Sequence, residues 1–407
     1  MMASKESFEC GNVPAEEEEL ISDMFNKYGI AGIQKYTKER LNKWRETYLH
    51  IAITGESGAG KSTFINVIRG LKSDEEGGAH TDVIEATKTI KYYKHPKYEN
   101  VVFWDLPGVG TDNFKRENYD DQVKLAKYDF FLICSSERFS ENDGWLARKI
   151  SKMGKKFYFL RTKVSIDISN DAKGRSFPRS RDDILNKIQI DCLLNLDKHR
   201  LFDSLVYLID NFEPNDFDFN RLKAKLIEDT PHLKREAMAF SIIGQTEEIM
   251  FQKKKELEKR IQFISLTSAV AGAVPIPGVG TAVDLAIMLE EIMFYRDQFG
   301  LTDNAIKRNA EMLGVREEEL KKELNMKELL LDCTKKGLLA LFNNIVISEA
   351  VEEVAKYVIP IIGSITAGII SYKSTNYWLK KILEGLYQDA LKISRKLSMH
   401  SAQSTQV

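Results

Sequence analysis

Cysteine is scarce in this 407-residue chain, and the four present, Cys10, Cys134, Cys192 and Cys333, lie far apart with no C-x-x-C pair. That spacing excludes a disulfide framework or a structural zinc site and points to a reducing compartment. Charge of one sign is lacking as well: 59 Lys and Arg stand against 60 Asp and Glu, a formal net charge of -1. A nucleic-acid binder carries a clearly basic domain, so no nucleic-acid partner is expected. The first 24 residues hold no apolar run of secretory-signal length and no Met-Gly start, and residues 404–407 are no prenylation box. The expectation is a cytoplasmic protein without a lipid anchor. What is present is ordinary globular material, 43 % hydrophobic and 29 % charged, enough to bury a sizeable core over a length that suits two domains.

Residues 1–16 read as a flexible tail running into the acidic stretch Glu16 to Glu19. Over residues 17–47 apolar side chains recur at helical spacing, which predicts two amphipathic helices broken near Gly29 or Gly32. Short apolar runs at 49–54, 101–104, 130–134, 157–160 and 205–209 alternate with polar stretches that can hold helices. That alternation predicts an α/β fold, a doubly wound and mostly parallel sheet over residues 48–230. From 231 to 395 the periodicity is helical throughout, and residues 396–407 read as a second tail. Lys253, Lys254 and Lys255 form a basic run that reads as a solvated helix face, with contact to anionic lipid as the rival. Residues 261–283 contain no charge, and 359–372 repeat that character on a smaller scale. The longer run has the length of a membrane span, but Gly272, Pro275, Pro277, Gly278 and Gly280 would break a spanning helix. A tight hairpin buried in the helical domain is favoured over a membrane-inserting hairpin or a plain span.

The strongest signal is Gly55-Glu56-Ser57-Gly58-Ala59-Gly60-Lys61-Ser62, which fits G-x-x-x-x-G-K-[ST] in full between an expected strand and an expected helix. Glycines there let the backbone turn its N-H groups inward onto phosphate oxygens, with Thr63 following on the helix. Lys61 would reach the β- and γ-phosphates, and Ser62 would ligate Mg²⁺. A magnesium-side carboxylate is needed at the end of a neighbouring strand, and Asp105 of Asp105-Leu106-Pro107-Gly108 supplies it, with the Gly108 N-H able to approach a γ-phosphate. Between these motifs lies Thr81, where a switch threonine could close over the metal and the γ-phosphate. Thr87 competes for that role.

Base choice belongs to an N/T-K-x-D loop after a later strand. Here the loop is Arg161-Thr162-Lys163-Val164-Ser165, with the base-stacking lysine present and the aspartate absent. A carboxylate would accept from both the ring N-H and the exocyclic amine of guanine, and one serine cannot reproduce that pairing. Asp167 or Asn211 could complete the recognition. Losing a charge-assisted pair would cost about 2 to 3 kcal/mol of discrimination. After Gly108 come Val109, Gly110 and Thr111, none a glutamine that would hold a hydrolytic water, so slow intrinsic turnover is expected.

The stretches GESGAGKSTFINVIRG, EEGGAHTDVIEAT, VVFWDLPGVG, YDFFLICSSERFSENDGWLARKI and KKFYFLRTKV, in this order and spacing, resemble the immunity-related GTPases, the interferon-inducible family of cell-autonomous defence. Lys61 matches its GKS subgroup. The resemblance covers most of residues 20–300 and implies a Ras-like G domain joined to a helical domain built from N- and C-terminal segments. It further implies GTP/GDP and Mg²⁺ as ligands, GTP-dependent self-assembly through the G domains and cooperative hydrolysis. Action on pathogen-containing vacuole membranes, with peripheral contact through the helical domain, also comes with it. Glu85 in VIEAT matches a switch glutamate that contributes to activation across the dimer. The family pattern at the base loop is TKVD where this chain has TKVS, and serine-asparagine where this chain has Asp210-Asn211. Two other readings stay open: a nucleotide-binding scaffold with little turnover, and an ATPase with relaxed base choice.

Overall fold

The computed structural model describes residues 15–81, 89–111, 113–244, 246–272, 279–323 and 365–404. Glu85, Thr87, Pro275 and Pro277 therefore lie outside the described residues, as do the turn of the expected hairpin, most of the expected N-terminal tail and residues 405–407, whereas 396–404 of the expected C-terminal tail are helical. The chain divides into two compact units, one of residues 44–244 and one of residues 1–43 with 245–407.

The first unit is built on a six-stranded sheet: β1 (Leu49–Gly55), β2 (Lys91–Lys94), β3 (Val101–Asp105), β4 (Phe130–Ser135), β5 (Lys156–Arg161) and β6 (Leu205–Leu208), in the order β2-β3-β1-β4-β5-β6. All pairs are parallel except β2 with β3. Every residue of β1 but His50 is buried, as a strand covered on both faces requires. Strand β2 had no apolar run to announce it: Lys91 to Lys94 reads KYYK and lies largely exposed at the sheet edge. Helices α2 (Lys61–Arg69), α3 (Tyr119–Val123), α4 (Glu141–Lys152), α5 (Val164–Gly174), α6 (Arg181–Lys198) and α7 (Phe219–Asp229) connect or flank the strands. A further helix, α8 (His232–Ser241), also belongs to this unit, burying Ala237 to Phe240 and setting Phe240 edge-on to Trp44 at 5.1 Å. The sheet order reverses at β1, whose neighbours are β3 and β4, and α/β proteins bind ligands at the carboxyl ends of strands at such a point.

The second unit is helical: α1 (Ala15–Asn42), α9 (Glu247–Gly272), α10 (Val279–Gln298), α11 (Asp303–Leu313), α12 (Glu317–Glu323) and α13 (Ile365–Ser404). Gly29 breaks α1 with φ 64° and ψ -151°. Helix α9 is the hub. It packs against α1, α10 and α13, burying Phe263 and Leu266 with Ile21 and Ile33, and its Ile261 and Ile264 are buried as well. Its charged half is enclosed too, which corrects the expected solvated or lipid-facing lysine run. Lys253 is buried and donates to the Gln298 carbonyl, Lys254 pairs with Glu384 at 2.5 Å, and only Lys255 is exposed. With three neighbouring helices, α9 has little surface left for water.

Candidate nucleotide site

Strand β1 ends at Gly55 and α2 begins at Lys61, so Glu56, Ser57, Gly58, Ala59 and Gly60 form the turn between them. Gly55 has φ 135°, and a Cβ there would lie 1.9 Å from the Cys134 carbonyl oxygen, so glycine alone lets the loop leave β1 beside β4. Gly58 and Gly60 take φ of 78° and 79°. Glu56, Ser57 and Gly58 are exposed and Ala59 is wholly buried. The first amides of α2 lack acceptors within the helix and sit at this turn, the arrangement that binds anions.

Lys61 is buried, and its Nζ donates to the carbonyl oxygens of Gly55 at 3.0 Å and Glu56 at 2.9 Å. Burial lowers its pKa, with the Asp105 charge opposing the shift. Ser62 Oγ donates to Asp105 Oδ2 at 2.6 Å. Asp105 is buried at the carboxyl end of β3, in register with Ile53 of β1, which is why residues 43 apart in sequence meet. Thr63 is next on the helix, half-buried. A hydroxyl and a carboxylate are hard oxygen donors of the kind Mg²⁺ takes. Among the described residues no group of three or more His, Cys, Asp or Glu forms a metal cage, so a magnesium ion held by Ser62 and Asp105 would complete its shell with phosphate and water.

A Cβ on Gly108 would come within 2.7 Å of the Gly55 carbonyl oxygen and 3.3 Å of Glu56 Cα, so the turn after β3 touches the phosphate loop backbone to backbone. Tyr119, wholly buried, holds that turn: its hydroxyl donates to the Pro107 carbonyl at 2.8 Å and shares a 3.1 Å hydrogen bond with Thr54 Oγ1. Burial raises its pKa, keeping the phenol protonated for that role. Beyond Gly108, Thr111 Oγ1 donates to the Gly108 carbonyl at 3.2 Å and Asn142 Nδ2 donates to the Val109 carbonyl at 3.0 Å. Thr81 is exposed at the end of a segment tied to α2. In that segment the Ala79 amide donates to Asn66 Oδ1 at 2.6 Å, and Arg69 Nη2 donates to the Gly77 carbonyl at 2.7 Å. The roles of Tyr119, Asn66 and Arg69 carry no motif in the sequence.

At the base loop the residues separate. Thr162 is wholly buried and its hydroxyl donates to the Ala59 carbonyl at 2.9 Å, so it braces the phosphate loop from behind. Lys163 takes the left-handed conformation, φ 58°, and caps α5. Asp167, expected to replace the missing carboxylate, is instead engaged by Arg161, whose Nη2 donates to it at 2.6 Å. Burial raises the Asp167 pKa while Arg161 opposes the shift. Asn211 Nδ2 donates to the Gly60 carbonyl at 3.0 Å. The carboxylate that Ser165 meets is Asp210: Ser165 Oγ donates to Asp210 Oδ2. Sequence reasoning passed over Asp210, although an acid beside Asn211 in a chain whose base loop lacks one was a signal.

A family model described as interferon-inducible GTPase matches residues 15–397. The chain is 31 % identical over 382 residues to T-cell-specific guanine nucleotide triphosphate-binding protein 2 of Mus musculus, covering 91 % of this chain and 90 % of that protein. It is 39 % identical over 282 residues to interferon-gamma-inducible GTPase 10 of Mus musculus, covering 69 % and 67 %. With interferon-inducible GTPase 5 of Rattus norvegicus it shares 32 % over 384 residues, 94 % of this chain and 82 % of the relative.

Proposed function

The chain belongs to the interferon-inducible GTPase family, and on that premise we propose that it binds GTP with Mg²⁺, self-assembles in that state, and hydrolyses the nucleotide slowly until a second copy completes the site. GTP hydrolysis by a P-loop protein comes with the family. The observation that carries the reading is the 2.6 Å bond from Ser62 Oγ to Asp105 Oδ2 at the mouth of the glycine loop, the pair of oxygen donors a P-loop protein uses for magnesium. When bound there, the metal would draw charge from the β- and γ-phosphates. Lys61 adds a buried cation beside the phosphates, and the Gly108 amide, with no side chain beside it, reports whether the γ-phosphate is present. Thr81 would close over metal and phosphate, and Glu85 would act across the dimer.

Slow turnover by the single chain is supported by the three residues after Gly108. Val109 is buried, Gly110 has no side chain, and the Thr111 hydroxyl is engaged by the Gly108 carbonyl, so none is placed to orient a water. Action at pathogen-containing vacuole membranes is proposed as peripheral contact through the helical unit. Among the described residues no helix is long and apolar enough to cross a membrane. Calorimetric titration of the full chain with GDP and ADP in Mg²⁺ tests the central reading. Guanine nucleotide should bind at least about tenfold tighter, and EDTA should weaken it; equal affinities would make the chain a general nucleotide binder.

A further inference from the structure

A carboxylate is the group that tells guanine from adenine, because it accepts at once from the ring N1-H and the exocyclic amine. The base loop puts Ser165 where that carboxylate is needed, and Asp167 is engaged by Arg161. From the geometry we propose that Asp210, contributed by the end of β6 and set by Ser165, is the guanine-reading carboxylate of this protein. The assignment rests on the guanine-nucleotide reading above.

Three observations carry it. Ser165 Oγ, which stands 45 residues away in sequence, donates to Asp210 Oδ2, so the serine orients the acid it replaces. Asp210 is only 3 % exposed, and the hydrogen bonds its carboxylate accepts among the described residues come from a hydroxyl and a backbone amide, not from a cation. Its other hydrogen bond comes from the Phe212 amide to Oδ1 at 2.9 Å. A carboxylate has about four acceptor positions, so each oxygen keeps one for a further donor. A buried acid without a counter-ion gains most from such donors, and guanine brings two side by side. The third observation is Asn211, whose Nδ2 holds the Gly60 carbonyl of the phosphate loop at 3.0 Å. Its Oδ1 is buried with no hydrogen-bond partner. That residue joins Asp210 directly to the loop that grips the phosphates and leaves a second acceptor in the same corner. Against the pattern the chain resembles, the serine and the acid stand in exchanged places on two loops, and here the two are in contact.

The alternative role for the pair is a clamp between loops, and base choice separates the two. Xanthine carries a carbonyl in place of the exocyclic amine of guanine, so an amide suits it where a carboxylate suits guanine. Calorimetry on the full-length protein with GDP, XDP and ADP should show Asp210→Asn losing roughly ten- to hundredfold in GDP affinity and gaining XDP until the preference inverts. A folded Asp210→Asn that binds GDP within about threefold of the wild type and gains nothing toward XDP overturns the assignment. Inversion by Asp167→Asn instead overturns it equally. Should Asp210→Asn fail to fold by circular dichroism, the exchange variant Ser165→Asp with Asp210→Ser decides. Retained preference for GDP over ADP supports a carboxylate in this corner, and lost GDP binding with the fold intact refutes it. If the wild type itself binds no guanine nucleotide, the functional reading fails as a whole, a result distinct from guanine binding that ignores residue 210.

Discussion

Lys61 shows how one side chain concentrates the chemistry of the site. It is 5 % exposed, and its ammonium is held by two loop carbonyls within 3.0 Å. Such a cation adds directly to phosphate binding in a place where water screens little. Lys61→Ala should abolish nucleotide binding by calorimetry while the circular dichroism spectrum stays that of the wild type, because the removed amine contacts only the loop it serves. Tight GDP binding by a folded variant would refute the site. This residue was legible from the sequence, since the motif specifies lysine at one fixed step after three glycines. Asp210 was not, because its meaning depends on a serine in a different loop.

At the scale of elements, α4 is held at its start by a capping box: Ser140 accepts from the Asp143 amide, and Asp143 accepts from the Ser140 amide. Burial of Asp143 pushes its pKa up to about 6, against the lowering effect of the Ser140 bonds. A folded-state pKa above the unfolded value means that the folded chain binds the extra proton between about pH 4 and pH 6, so stability declines as pH rises through that window. Urea titrations at pH 4 and pH 7 should therefore show the wild type losing about 2 to 3 kcal/mol relative to Asp143→Asn on going to the higher pH. No change in that difference would show that the carboxylate is already ionised at pH 4.

A second element-scale device joins three helices of the other unit. Arg260 of α9 donates to Glu291 of α10 at 2.5 and 2.8 Å and to the Leu41 carbonyl of α1 at 2.6 Å, with both side chains buried. Removing one charge strands the other. Glu291→Ala should cost about 3 to 5 kcal/mol in urea unfolding, and Arg260→Met combined with Glu291→Leu should cost less than the single change. The helical character of this region was legible from periodicity, but the burial of Lys253 and the Arg260 pair was not. Sequence shows a charge run and does not say that helices enclose it. Strand β2 escaped for a related reason, since an exposed edge strand needs no apolar pattern.

For the whole molecule, the decisive property is assembly. If a second copy supplies the group that activates water, phosphate released per chain per minute must rise with protein concentration and level off as the dimer fills. A rate per chain that is flat across a hundredfold range of concentration would mean that each chain hydrolyses alone. No release at any concentration would make the protein a nucleotide-held scaffold.

The phosphate-gripping turn and the alternation of strand and helix were determined by sequence alone, because left-handed glycines and apolar periodicity are local properties that neighbouring residues suffice to express. Asp105 was named from its own motif as the acid that serves with Ser62, whereas which acid stands beside Ser165 was decided only in three dimensions. Those partners lie 43 and 45 residues away, and they meet because the sheet order sets β3 beside β1 and β6 beside β5, at the ends where the loops converge. Pairing at that distance arises from how strands stack, and a linear motif does not encode it.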